Sequence, residues 1–173
     1  PAPEHGFDEL AVRLLRHLEW QDGFSIVFLF ADEGPAERLR FWLNKRLDFA
    51  GRPIHRLMPE ELPDDPAHFT ERLLRLPSEL PAGVPVWVEI FRHATDARWN
   101  ESRRIFLARL NERRFVLERD FAHALIVVLP RGFRQEARHI APDIWHVRAF
   151  SDELAVLLDS AMPMEDGEKR LRP

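Results

Sequence analysis

The sequence has no cysteine, so disulfides, thiolate zinc sites and thiol nucleophiles are excluded. Lysine is nearly missing as well: Lys45 and Lys169 are the only two, and arginine carries the remaining positive charge. Glycine occurs seven times, at positions 6, 23, 34, 51, 83, 132 and 167. No two of these are close enough to wrap a phosphate with backbone amides or to form a dinucleotide fingerprint. No apolar run approaches the roughly 20 residues that a bilayer span requires, and no signal-peptide pattern is visible. The formal net charge of −4 argues against nucleic acid held by bulk electrostatics.

What is present is ordinary globular composition: 173 residues, 45% hydrophobic and 31% charged. The expectation is one domain over residues 1–162, with a polar tail or linker start at 163–173, in a cytoplasmic setting. A beginning at Pro1 and an end in charged residues read as a domain cut from a longer protein. Phe7, Leu10, Ala11, Leu14 and Leu18 repeat with helical spacing and predict a helix over about 8–19. The apolar run Ile26 to Phe30 is short and rich in β-formers, which suits a strand buried on both faces. A helix over 35–48 and a short edge strand over 52–57 follow, then a helix carrying Phe69, Leu73 and Leu76. Further strands are predicted at 85–91 and 124–130, the latter the most hydrophobic. One long helix is predicted over 99–120, a short one over 132–141, and a fifth strand over 145–150. Ser151 is read as the N-cap of a last helix with Leu154, Leu157, Leu158 and Ala161 inward. Alternation of strands and helices gives βαβ units, hence an α/β three-layer sandwich around a five-stranded, mainly parallel sheet.

Ligands of such sheets bind at the carboxyl ends of the strands. The residues expected there are Asp32 and Glu33 after the first strand, Arg92, His93 and Asp96 after the third, and Arg131 after the fourth. Glu89 lies in the third strand. The turn Asp32-Glu33-Gly34-Pro35 stands where a phosphate loop would be, and its two acids repel a phosphate. A receiver-type phosphoacceptor site lacks its hydroxyl and its lysine. Ser25 in a strand and Ser102 in a helix are not on nucleophile turns. Asp32, Glu33, Glu89 and Asp96 have the chemistry of a Mg²⁺ site; as the plainer reading, Asp32, Glu33 and Asp96 favour helix starts. His123 and His146 are read as structural. The arginines of the long helix, Arg103, Arg104 and Arg113 among them, form a solvated face or a docking surface for an acidic partner. No cofactor and no resident metal are expected.

Two stretches carry a resemblance. Leu110-Asn111-Glu112-Arg113-Arg114 runs into Ala124-Leu125-Ile126-Val127-Val128-Leu129-Pro130, and then comes Ala141-Pro142-Asp143-Ile144-Trp145-His146-Val147-Arg148-Ala149-Phe150. Together they resemble the back half of AAA+/STAND-type P-loop domains of bacterial multidomain proteins. The resemblance implies strand order 5-1-4-3-2 and a nucleotide-binding ancestry. The nucleotide residues do not carry over: Ala31 to Pro35 replaces the phosphate loop, Glu89 or Asp96 stands for the acidic site, and Arg131 stands at the sensor position. The chain is similar to inactive members of that group, so its implied role is a non-catalytic scaffold or sensor in defence or signalling proteins, acting through protein partners. The alternative is a small-molecule or metal-dependent site at the strand ends.

Overall fold

In the computed structural model, residues 6–154 are described. Five strands form one parallel sheet: β1 (Ser25–Phe30), β2 (His55–Leu57), β3 (Val86–Glu89), β4 (Ala124–Leu129) and β5 (Phe150–Glu153). The order is β2-β3-β4-β1-β5, or from the other edge β5-β1-β4-β3-β2. The short strands β2 and β5 are the edges.

Seven α-helices cover both faces. On one side lie α1 (Gly6–Trp20) and α2 (Glu33–Phe49), whose Leu14, Leu18, Leu39 and Leu43 pack on Val27, Leu29, Ile126 and Val128. On the other lie α3 (Phe69–Arg75), α4 (Ala97–Glu112), α5 (Arg114–Asp120), α6 (Arg134–Ile140) and α7 (Pro142–Val147). Phe69, Phe106, Leu117, Ala137 and Ile144 meet Ile26, Phe28, Val88 and Val127 on that face. Every residue of β4 is buried, and so is all of β1 beyond Ser25. This is why both strands read as unbroken apolar runs rather than as alternation.

Two segments differ from expectation. The predicted helix over 99–120 is two helices, broken at Arg113, whose φ of −96° and ψ of 11° leave the helical region. The predicted strand over 145–150 is instead α7, with Pro142 in its first turn, where a missing N–H costs nothing. The strand begins only at Phe150, so Ser151 is inside β5 and caps no helix there. Leu157, Leu158 and Ala161 lie outside the described residues, as does the tail over 163–173.

Asn111, from the break region, makes α7 possible. Its Oδ1 accepts from the backbone N–H groups of Asp143 and Ile144 at 2.9 and 3.0 Å, satisfying donors at the helix start. The two stretches that stand out in the sequence are therefore joined in space by one side chain. Asn111→Ala should lower unfolding free energy by about 1 kcal/mol, the usual cost of a lost cap. Denaturant titration with an unchanged slope reads it, and a midpoint equal to the parent's would show that the amides find water instead.

Candidate functional site

The carboxyl ends of β1, β3 and β4 bring the predicted residues to one end of the sheet, where the carboxylates meet arginines or a helix start rather than converging on a shared site. Asp32 takes the N-cap position of α2, with extended backbone and no side-chain bond to the helix amides. Its Oδ2 lies 3.4 Å from Arg131 Nη1, an ion pair across the ends of β1 and β4 in which both side chains are about half exposed. Glu33 opens α2 and accepts from Arg92 at 3.1 Å. Asp96 caps α4, accepting from the amides of Arg98 and Trp99 at 2.9 and 3.1 Å. Each carboxylate is therefore engaged with an arginine or a helix start.

Glu89 is the most enclosed of the set, 1% exposed at the end of β3. Strand alternation puts it on the α2 face with Trp87, and parallel register puts Arg56 of β2 beside Trp87 on that same face. The Arg56 guanidinium donates to both Glu89 oxygens, at 2.8 and 2.9 Å. Trp87 Nε1 donates at 3.1 Å, Arg92 Nη1 stands 3.5 Å away, and Arg40 Nε lies 3.2 Å from Oε1. The Arg40 contact lacks hydrogen-bond alignment, so that buried N–H has no partner beyond the Coulombic one. Glu37 joins through Arg56 and Arg92. Three arginines and three glutamates thus lock α2 to β2 and β3. Such a network is already neutralised and has no vacancy for a cation. Among the described residues no three His, Asp or Glu side chains gather as a metal site requires.

The three arginines singled out in the predicted long helix divide three ways. Arg103 is not surface at all: it is fully buried and donates to the carbonyls of Ile90 (2.6 Å), Arg92 and His93 (3.4 Å) and to Asn100 Oδ1 (2.6 Å). Burial lowers its pKa to about 10, with the nearby Asp96 charge opposing the shift. Arg104 is partly exposed and spends its guanidinium on Glu136 of α6 and Glu101, which hold its pKa above the ordinary value. Arg113 is exposed at the break between α4 and α5. A docking face built from all three does not exist, because helical periodicity alone cannot tell an arginine aimed at a neighbouring loop from one aimed at water.

The loop that Arg103 holds has its own signature. His93 adopts φ 56°, the left-handed region that non-glycine residues rarely enter, and its ring stacks on Trp99 at 4.6 Å. Asn100 Nδ2 closes the loop on Ala94 O at 3.0 Å. His123 is buried, with Nδ1 bonded to the Val84 carbonyl at 2.8 Å, and burial lowers its pKa. His17, at the β1 edge of α1, bonds Ser25 Oγ at 2.8 Å. Both histidines are structural.

No protein-family model, curated protein or solved structure matches the chain.

Sequence reasoning missed two groupings. One is the exposed aromatics of α1 and α2: Trp20 is 84% exposed at the end of α1, and Phe41 and Phe49 are 62% and 95% exposed in the middle and at the end of α2. Arg52 ties those helix ends together, bonding Glu19 O at 3.3 Å through its side chain and Leu47 O at 2.7 Å through its backbone N–H. The other is a group of arginines around Ser151, separated in sequence and joined only by the fold.

Proposed function

We propose that this chain is a non-catalytic P-loop NTPase-like module of the AAA+/STAND kind, a scaffold or sensor that works through protein contacts within a bacterial defence or signalling protein. The observation that carries this reading is the turn after β1. Where a phosphate loop would present amides and a lysine, this turn presents Asp32 paired with Arg131 and Glu33 paired with Arg92. Its single glycine is followed by Pro35, which has no N–H to offer. A triphosphate there would meet two carboxylates and displace two ion pairs. The sheet order β5-β1-β4-β3-β2 supports the kinship. The exposed Trp20, Phe41 and Phe49 support the protein-contact role, since aromatic residues are enriched where partners dock.

The test is ATP and GTP turnover by the purified chain with Mg²⁺. Release of phosphate should stay at the level of buffer. Turnover that disappears in Asp32→Asn or Glu89→Gln would overturn the reading. For the contact surface, a photo-crosslinking residue at Phe49 should capture protein in cells, whereas the same residue at Arg119 should not.

A further inference from the structure

Arg134 and Arg138 are one turn apart on α6, and Arg148 directly follows α7. Arg134 and Arg148 come together beside edge strand β5, with Arg138 one turn along α6 from Arg134. Ser151 is paired in register with Phe28 of β1, so its hydroxyl faces the α6–α7 side. Arg134 Nη1 and Arg148 Nε both donate to Ser151 Oγ, at 3.4 and 3.3 Å. Each of these guanidinia also lies on an aromatic ring: Arg134 on Phe30 at 5.1 Å, Arg148 on Trp145 at 4.1 Å. Burial, and after it the charges of Arg134 and Arg138, push the Arg148 pKa below its ordinary value.

Among the described residues, no carboxylate stands within ion-pairing distance of any of the three. The nearby acids are committed or turned away. Glu136 of α6 pairs with Arg104, and Asp152 lies on the opposite strand face and accepts from the Glu153 amide. Glu153 shares the Ser151 face but is exposed and makes no ion pair with them. Around Glu89, by contrast, the clustered arginines are interleaved with glutamates. Here they are not.

We propose that Arg134 and Arg148, which meet at the Ser151 hydroxyl, together with Arg138 one turn along α6, bind the phosphoryl groups of a free phosphorylated small molecule. A guanidinium has five N–H donors, and the described structure uses one of Arg134's and two of Arg148's. The remaining donors form forks that fit the oxygens of a phosphate bidentately. Ser151 and the two rings hold the forks in place beforehand, which reduces the ordering cost of binding. Three cations match a multiply charged phosphate better than a single carboxylate. The net charge of −4 disfavours nucleic acid, whose binding relies on long-range attraction. The inference goes beyond the function proposed above and does not depend on it, because none of its residues belongs to the Asp32–Pro35 turn.

Calorimetry at fixed ionic strength with pyrophosphate, ATP and adenosine tests it. Pyrophosphate and ATP should bind saturably and adenosine should not. ATP no tighter than pyrophosphate would identify the phosphate chain as the whole ligand, and tighter ATP would add a base contact. Arg148→Gln should weaken binding but also strips Trp145 of its cation. Arg138→Gln is the cleaner variant, since Arg138 is exposed and makes no hydrogen bond or ion pair among the described residues. It should weaken pyrophosphate by about tenfold, the worth of one charged hydrogen bond, while raising the unliganded Tm by removing like-charge repulsion. Arg113→Gln should change neither. Absence of saturable binding, or full affinity in Arg138→Gln, would overturn the proposal. ATP turnover would overturn the non-catalytic reading and leave this site standing.

Discussion

Arg103→Met is expected to lower the unfolding free energy by about 3 kcal/mol, because hydrogen bonds to a charged group are worth about 1.5–3 kcal/mol and several disappear together. Methionine has the length of the arginine stem and none of its donors. The carbonyls of Ile90, Arg92 and His93 would lose their shared partner, and Asn100 would lose the contact that orients it toward Ala94. Part of the loss is offset, since no cation then has to be desolvated, a cost visible in the depressed Arg103 pKa of about 10. The balance still favours arginine, because three backbone acceptors are harder to replace than one charge is to bury. Arg103→Lys should recover little of the loss: one ammonium cannot reproduce the fork that reaches three carbonyls and an amide oxygen. Denaturant titration with an unchanged slope measures the global effect, and amide exchange over 91–97 measures whether the loop opens on its own. A loss below about 0.5 kcal/mol, the range of an ordinary surface change, would mean that Asp96 and Asn100 hold the loop without it.

Glu89→Ala should be comparably severe. Breaking a buried ion pair from one side costs about 3–5 kcal/mol, and the lower end applies here because the partner arginines keep contact with water. Their side chains are 20–30% exposed, against 1% for Glu89. Without the carboxylate, Arg40, Arg56 and Arg92 face one another across the α2–β3 contact, and the Trp87 N–H loses its acceptor. Glu89→Gln keeps an oxygen for Arg56 and Trp87 and removes only the charge. It should therefore cost roughly half as much, in line with the greater strength of charge-assisted bonds. Equal losses in the two variants would show that shape rather than charge holds the network. A midpoint unchanged in Glu89→Ala would show that Glu33 and Glu37 suffice to neutralise the arginines.

Local signals were reliable where one segment decides its own environment. The apolar runs at 26–30 and 124–129 could only be strands enclosed on both faces, and the helical spacing of Leu10, Leu14 and Leu18 could only be one buried stripe. Asp96 was legible as a cap, since an acid before a helix start has its partners within three residues. The errors arose where a local pattern admits two answers. Residues 142–147 are a single turn and a half, too short for a period to declare itself, and the amides that make them helical are satisfied by Asn111 from 32 residues away. The helix predicted over 99–120 keeps its periodicity through Arg113, so the break between α4 and α5 is invisible to spacing.

The α/β class, the exclusion of thiol chemistry and the lack of a glycine-rich phosphate loop were all readable from the chain alone, because each follows from residue types or from contacts along a single segment. Only the tertiary structure decided what the charges do. Arg103 went inward to the β3 loop, Glu89 collected three arginines from α2, β2 and the end of β3, and Arg134 and Arg148 met at Ser151. A charge acts through whatever lies within a few ångströms of it, and it is the fold that brings Arg40 and Arg56 to Glu89 and Ser151 to Arg134.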